Sequence, residues 1–420
     1  MQTSKVGLAK LGIYFKIGLH VVWKYHNQMS FKTFLHAARL LFAFYHNKLI
    51  KLNDTHKLHI YLPAYPTEAF FTAVEGKLFT KEPKPVSVVF SITKFCTGRC
   101  PHCYQRLDKG KDSSLKELQK TAKNLVKTGV SFINIEGGDA FLKMKELCAV
   151  LDVFKGKAEV WVNTTGLNVT KEKLQILKDK GMCGIMVSIH SPSEKVHNLF
   201  VGHKGTFKQA CQALDWCDEL NIGSAINTVL EYPAIHNNDL PKIMEIAKKH
   251  KCGFVQLIHP KRAGLWLNNK ALNEQDELIK QYVKKQHKYY NSRFAKNFPA
   301  LPAQAEEEAT NKFGCTSGGI DRFYIGASGE LQPCEFLNIS FGNINKERFD
   351  VVFRRMRNAF KYPCEDWLCA TQAADIERLK EKYHQKLLPL PYEITKELVA
   401  TWNRGKPTKI YKKIGLYQDE

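Results

Sequence analysis

Carboxylates are absent from the first 53 residues, which carry eight Lys or Arg and no Asp or Glu. The chain also lacks an uninterrupted apolar run of the roughly 20 residues that a membrane-crossing helix requires. It shows no charged, apolar and small-residue sequence typical of a secretory signal. These absences disfavour an integral membrane protein and an exported one, and we expect a cytoplasmic protein.

Cysteine is too sparse for a disulfide-stapled fold, with 12 residues in a chain of 420. Three of them, Cys96, Cys100 and Cys103, nevertheless stand close together, just after the apolar run 86–92. Zinc sites pair C-x2-C with a second pair or with histidines, which this spacing matches poorly. A loop this short wraps three thiolates round one cubane cluster but does not easily supply a fourth. The spacing therefore predicts a [4Fe–4S] cluster with one iron left for a non-protein ligand.

The net charge of +22, from 63 basic and 41 acidic residues, favours anionic partners. Residues 1–53 are predicted to form two basic amphipathic helices, the second capped by Ser30. Such helices suit contact with an anionic membrane surface. They equally suit packing of their apolar stripes against a folded domain. The sequence leaves both interpretations open.

From Val86 onward, apolar strand candidates alternate with helical stretches. The strand candidates are 86–92, 131–136, 158–163, 183–190, 223–230 and 253–258, and the helical stretches lie near 114–128, 143–155, 171–180, 207–220 and 238–250. This alternation predicts βαβ units and a parallel sheet, whose functional groups gather at the carboxyl ends of the strands. The proline-containing stretch 54–85 is predicted to be an irregular connector.

The cysteine loop and these six units resemble the radical S-adenosylmethionine (SAM) enzymes. The resemblance implies a partial (βα)6 barrel in which the open iron chelates the amino and carboxylate groups of SAM. It further implies reductive cleavage of a C–S bond of SAM and hydrogen abstraction from substrate by the resulting 5′-deoxyadenosyl radical. The cofactor supplies this chemistry, while the protein positions and shields it.

The second strand ends in Glu136-Gly137-Gly138-Asp139-Ala140, which resembles the family's GGEP motif. That motif holds the methionine amine of SAM; here Asp139 replaces the glutamate and Ala140 the proline. The resemblance implies further cofactor contacts at strand ends, from Asn163, Thr164, Ser188 and Asn227. His190 and His259 also stand at strand ends, where a histidine can face substrate or serve the structure. No residue is assigned a catalytic role.

Four later cysteines, Cys315, Cys334, Cys364 and Cys369, resemble the ligands of a SPASM or twitch extension. That extension carries seven cysteines in its full form, so four imply one auxiliary [4Fe–4S] cluster. Gly329 is placed to turn a short hairpin before Cys334.

The predicted organisation follows from these assignments. It comprises a basic helical extension (1–53), a connector (54–85), a radical SAM partial barrel (86–260), a helical linker (261–314), an auxiliary-cluster subdomain (315–370) and a C-terminal tail (371–420).

The leading functional hypothesis is a radical SAM enzyme that abstracts hydrogen from a peptide or protein, with an electron donor such as flavodoxin or ferredoxin. A small-molecule or membrane-held substrate is the alternative within the same chemistry, with peripheral membrane contact through residues 1–53. The competing class is a non-catalytic metal-containing nucleic-acid-binding protein, which the charge favours. No recognisable nucleic-acid module is present, so nucleic acid is not the expected partner.

Overall fold

The computed structural model describes residues 2–403 and 405–417. Its strands are β1 (Gln2–Lys5), β2 (Leu49–Leu52), β3 (Thr55–Lys57), β4 (Ser87–Ser91), β5 (Phe132–Glu136), β6 (Glu159–Thr164), β7 (Met182–Ser188), β8 (Gly223–Val229), β9 (Phe254–Ile258), β10 (Arg322–Ile325) and β11 (Leu331–Gln332). The first three form an antiparallel sheet, and the other eight form one sheet in the order β11-β10-β4-β5-β6-β7-β8-β9.

The helices surround the larger sheet. They are α1 (Gly7–Lys24), α2 (Phe31–Ala43), α3 (Glu68–Leu78), α4 (Leu115–Thr128), α5 (Met144–Phe154), α6 (Lys171–Asp179), α7 (Glu194–Val201), α8 (Thr206–Glu219), α9 (Tyr232–His236), α10 (Asp239–Lys249), α11 (Ala271–Glu274), α12 (Asp276–Tyr290), α13 (Gln304–Glu307), α14 (Phe349–Ala359), α15 (Leu368–Thr371), α16 (Ala373–Lys382), α17 (Tyr392–Thr401) and α18 (Lys409–Ile414). Short 3-10 helices occupy His26–Gln28, Ala140–Leu142, Gly264–Trp266 and Arg293–Ala295.

The six strands predicted from Val86 onward are β4 to β9, and each pairs in parallel with the next strand along the chain. The helical stretches predicted between them are α4, α5, α6, α8 and α10. Strong local signals define them, such as the capping box that Ser114 and Glu117 form at the start of α4. The prediction of an α/β fold with a parallel central sheet is therefore confirmed.

Alternate side chains divide between the two faces of this sheet. Residues such as Ile133, Val162 and Ile185 face the surrounding helices. The other face, here called the inner face, has its own apolar layer of Phe132, Trp161, Met186, Ala225 and Phe254. Gly184 and Gly223 leave room for one indole in this layer, since a Cβ at either position would lie 2.6 and 2.8 Å from Trp161.

The hairpin predicted around Gly329 is confirmed as antiparallel β10 and β11. It does not stand apart from the barrel strands, however, because β10 also pairs in parallel with β4. The cysteine-rich C-terminal region thus extends the central sheet. Its boundary with the barrel remains a prediction, as do the other domain boundaries.

Three features outside the barrel strands differ from the sequence analysis. The predicted N-terminal helices are present as α1 and α2, but β1 and β2 flank them and pair with each other. The stretch expected to be irregular contains β3 and α3, which Thr67 caps by accepting a hydrogen bond from Phe70 N–H. The region named as a tail forms α16, α17 and α18.

Candidate iron–sulfur and cofactor site

The three cysteines Cys96, Cys100 and Cys103 lie on the loop that leaves the carboxyl end of β4, and all are half-buried. Neighbouring segments hold this loop on two sides. Arg99 N–H donates to the carbonyl of Val201 at the end of α7, over 2.7 Å. Leu265 N–H donates to the carbonyl of Cys103 over 3.2 Å. The loop is therefore a fixed part of the sheet's carboxyl edge.

The spacing of the three thiols suits a cluster better than a single ion. Within the part of the chain that the structure describes, only His46, His287 and Glu307 bring three ligand atoms within 4.8 Å of one another. At least one pair of the loop thiols is therefore more than 4.8 Å apart. A cubane cluster offers a separate iron to each thiolate, so wider spacing fits it.

Burial and mutual repulsion raise the pKa of the loop thiols. The pKa of Cys100 rises to about 12, first because of burial and then because of the neighbouring Cys103 and Cys96. Burial also raises the pKa of Cys96, although the backbone N–H of Gly98 donates to its Sγ over 3.3 Å. A bound metal reverses this preference, because coordination stabilises the thiolate. The residues present thus fit the implied [4Fe–4S] cluster.

The turn Gly137-Gly138 packs directly against the segment that leads into the cysteine loop. Gly138 N–H donates to the carbonyl of Thr93 over 2.8 Å, and Asp139 N–H donates to that of Phe95 over 2.7 Å. A Cβ on Gly137 would lie 2.4 Å from the Thr93 oxygen, and one on Gly138 2.1 Å from the Phe95 oxygen. Glycine is required here by this backbone contact, whatever ligand also approaches the turn.

Three of the predicted cofactor residues share the inner face near the carboxyl edge. Ser188 and Asn227 are register partners on β7 and β8, and Asn163 stands on β6 two residues after the inward Trp161. The buried Oδ1 atoms of Asn163 and Asn227 have no hydrogen-bond partner. Because buried polar atoms are normally paired, these two oxygens point to a polar ligand.

The side chains of Asp139 and Thr164 have other partners. Asp139 is 1% exposed and accepts hydrogen bonds from Phe141 N–H, from Thr164 and, over 2.8 Å, from the hydroxyl of Thr165. Thr164 follows Asn163 directly, so its side chain lies on the opposite face of β6. These contacts fix the turn after β5, and a cofactor contact from either residue stays a prediction.

Glu136 and Tyr104 also lie in the site, although neither was predicted from the sequence as a site residue. The Tyr104 hydroxyl donates to Glu136, and Asn163 Nδ2 donates to the same carboxylate over 3.1 Å. Burial, and then the nearby Glu335, raise the pKa of Glu136 well above its usual value. Glu136 stands four residues after the inward-facing Phe132 on β5, so side-chain alternation places it on the same inner face. This alternation is the sequence signal that could have pointed to Glu136.

A buried group of histidines lies beside the loop. The centroid of the His102 ring is 4.9 Å from that of His190. The backbone N–H of His190 donates to the ring atom Nδ1 of His197 over 3.1 Å. Burial lowers the pKa of His102 and of His197 to about 4, so both are neutral at pH 7. His259 lies elsewhere and pairs with Asp276 at 2.6 Å. Partners inside the fold therefore engage both strand-end histidines, His190 and His259.

The four C-terminal cysteines lie close together in the fold. Cys315 and Cys364 exchange two backbone hydrogen bonds, of 2.8 and 3.1 Å. A hydrogen bond from the Cys364 thiol lowers the pKa of Cys315. Burial raises the pKa of Cys369 to about 11, and the same cause raises that of Cys334, with Cys369 as a further contribution.

Two cations face these thiols. Arg322 forms an ion pair with Glu308 at 2.6 Å, and the thiols of Cys334 and Cys315 help raise its pKa. Burial lowers the pKa of Lys261, against an opposing effect from Cys369; its buried Nζ has no hydrogen-bond partner. Buried charges need compensation, and a thiolate-ligated cluster is anionic. The donor set therefore fits the implied auxiliary cluster.

Comparison with known proteins gives the same assignment for the barrel strands. Residues 90–249 match the model of the Radical SAM superfamily. The chain is 27% identical over 289 residues to the antilisterial bacteriocin subtilosin biosynthesis protein AlbA of Bacillus subtilis, covering 64% of this chain and 60% of AlbA. It is 24% identical over 305 residues to the Fe-coproporphyrin III synthase of Methanosarcina barkeri, covering 66% and 75%.

Among solved structures, SuiB of Streptococcus suis bound to S-adenosylmethionine matches with 14% identity and a TM-score of 0.46, over 64% of each chain. In the comparison with AlbA, the chain spans about three fifths of the length of AlbA. The matched span begins within β4 and contains the cysteine loop, the Gly137-Gly138 turn and β5 to β8. Residues 90–249 of this protein are a radical SAM domain.

Proposed function

We propose that this protein is an enzyme that binds a [4Fe–4S] cluster through Cys96, Cys100 and Cys103 and uses it to cleave SAM reductively. The observation that carries the proposal is the loop itself, with three separated thiols at the carboxyl edge of a parallel sheet. When bound, the cluster and SAM supply the electron and the hydrogen-abstracting radical. An electron donor such as flavodoxin or ferredoxin completes the proposed system.

The chain's own residues bind and orient these groups. The Gly137-Gly138 backbone is proposed to receive the amine of SAM, because the turn lies beside the cysteine loop. Asn163, Ser188 and Asn227 are proposed to bind the polar parts of SAM from the inner face. Asp139 and Thr164 are proposed to act through the shape of the turn that they stabilise.

An auxiliary [4Fe–4S] cluster is proposed at Cys315, Cys334, Cys364 and Cys369. The convergence of these thiols and their two facing cations supports it. A peptide substrate is the first candidate, supported by the likeness to a bacteriocin biosynthesis protein. A membrane-held small molecule is the second, supported by a mainly apolar cavity that residues of α1 and α2 line.

The test is production of 5′-deoxyadenosine from SAM by anaerobically reconstituted protein with a chemical reductant. Cys100→Ala should abolish the product, while Cys148→Ala, which removes a half-buried thiol on α5, should leave it unchanged. A non-catalytic nucleic-acid-binding protein would form no 5′-deoxyadenosine, and both variants would keep its affinity for nucleic acid. Such a result would refute the proposal.

A further inference from the structure

Helix α1 carries two apolar stripes, of which only one is used inside the protein. Tyr14, Ile17 and Val21 are buried. On another side of the helix, residues at three- and four-residue spacing remain exposed: Leu8, Leu11, Phe15, Leu19 and Trp23, with exposed fractions of 87, 43, 68, 55 and 74%. An exposed apolar stripe of this length marks an interaction surface.

Helix α2 continues this surface. None of its residues is buried, and Phe31, Phe34 and Phe42 are 78, 43 and 52% exposed. The exposed basic residues Lys32 and Arg39 flank them. Since no carboxylate occurs before Asp54, nothing acidic offsets these cations within the two helices. The pattern is that of helices that lie in the interface of an anionic bilayer.

A cavity of about 780 Å³ opens between the two helices. Its wall is mainly apolar and runs from exposed residues of α1 and α2, such as Phe15 and Phe34, to the fully buried Val88 of β4. The volume lies in the range of pockets that hold a small-molecule ligand. Both small residues of α1 that line it, Gly12 and Gly18, have open space at the Cβ position.

The inner end of the cavity reaches the barrel strands. Gln256 lines it and is the register partner of Asn227, a proposed SAM contact. Phe336 also lines it, and its ring lies 5.7 Å from that of Tyr104, next to Cys103. The buried Oε1 of Gln256 and Nε of Arg322, both at this end, have no hydrogen-bond partner. The cavity therefore joins an apolar entrance to a polar end near the candidate site.

We propose that this cavity binds the long hydrocarbon chain of a membrane lipid, which enters while α1 and α2 lie on an anionic bilayer. The basic, carboxylate-free helices supply the charge complementarity for such a surface. A peptide is a poorer occupant, because its backbone groups would lack hydrogen-bond partners along the apolar wall. The inference rests on the proposed function and specifies the second of its two candidate substrate classes, the membrane-held small molecule.

The surface and the cavity make one path for the lipid. The exposed stripe places the cavity mouth at the depth of the acyl chains, and the polar inner end receives the group that is to react. None of the helices in the described ranges is long and apolar enough to cross a membrane. The proposed contact is accordingly with the bilayer surface.

The first test is binding of cis-parinaric acid, a fluorescent polyene fatty acid, to the full chain. Gly18→Phe places a ring at a position that lines the cavity and has open space at its Cβ, and it should weaken binding about tenfold or more, which corresponds to about 1.4 kcal/mol. Ala9→Phe adds the same ring to an exposed position of α1 outside the cavity and should bind like the unaltered protein. Ala38→Phe, which fills the cavity from α2, should reproduce the loss.

The second test is co-sedimentation with vesicles of phosphatidylcholine, with or without phosphatidylglycerol. Binding should require phosphatidylglycerol, fall with added salt and be lost in Phe15→Glu. Absence of saturable parinaric acid binding, or equal binding by Gly18→Phe and Ala9→Phe, would overturn the proposal. Formation of 5′-deoxyadenosine without substrate, measured on the same samples, separates this failure from failure of the proposed function.

Discussion

Replacement of Gly138 by alanine places a methyl group where backbone atoms already stand. The new Cβ would lie 2.1 Å from the carbonyl oxygen of Phe95, 2.3 Å from its carbonyl carbon and 2.6 Å from the oxygen of Lys94. Favourable contacts between heavy atoms begin near 3.5 Å, so the segment that enters the cysteine loop must shift by about 1 Å or more. All three obstructing atoms are backbone, and no side-chain rotation relieves the overlap.

Such overpacking costs about 1–3 kcal/mol and sometimes more. We expect the free energy of unfolding of Gly138→Ala to fall by at least about 2 kcal/mol. Because the displaced segment carries Cys96, iron bound at the loop should fall as well. Urea unfolding of the apoprotein and iron analysis after anaerobic reconstitution measure the two effects separately.

Gly12→Ala provides the matched control. Gly12 lies inside α1 with open space at the Cβ position, so alanine should leave iron content unchanged and stabilise the helix by up to about 1 kcal/mol. If Gly138→Ala kept both the stability and the iron content of the unaltered protein, the close contact between the glycine turn and the loop would be refuted.

Two further predictions concern buried charge. Lys57→Met should destabilise the protein by about 3 kcal/mol in urea unfolding, because it leaves Glu159, its ion-pair partner at 2.6 Å, buried without a cation; Lys180→Met, at a solvent-exposed pair, should change the stability little. Equal losses would contradict the assigned environments. Burial lowers the folded-state pKa of His197 from 6.5 to about 4, so its stabilising contribution is present above pH 6.5 and is lost as the pH falls toward 4. His197→Asn should flatten the fall in unfolding free energy over this window by roughly 3 kcal/mol at most, and an unchanged pH profile would show that His197 is not buried and neutral.

The elements that the sequence predicted well are those defined by local pattern. Each strand from β4 to β9 is a short apolar run, and some of the intervening helices, such as α4 and α6, begin at a capping residue, so neighbouring residues contain the signal. The antiparallel pairing of Gln2 with Leu52 has no such local signal, because it joins distant parts of the chain. For the same reason β10 was expected in a separate subdomain rather than beside β4.

In the candidate site, likewise, some residues could be predicted from the sequence, while other features depend on contacts made by the fold. The cysteine loop was predicted from its spacing and from the resemblance to the radical SAM enzymes, and Asn163, Ser188 and Asn227 were predicted as cofactor contacts from the same resemblance. The alternation of side chains along β6 already places Asn163 and Thr164 on opposite faces of the strand. The partners of Asp139, and the cavity behind α1 and α2, depend on contacts between distant segments. These could be found only in the folded structure.

Anaerobic iron and sulfide analysis with electron paramagnetic resonance, before and after addition of SAM, tests directly whether the two proposed clusters are present. We expect about eight irons per chain, as two cubane clusters, and a spectral change in one cluster when SAM binds. Cys100→Ala should remove that change and about four irons. Protein that holds zinc and no iron after strictly anaerobic preparation would refute the proposed radical SAM function.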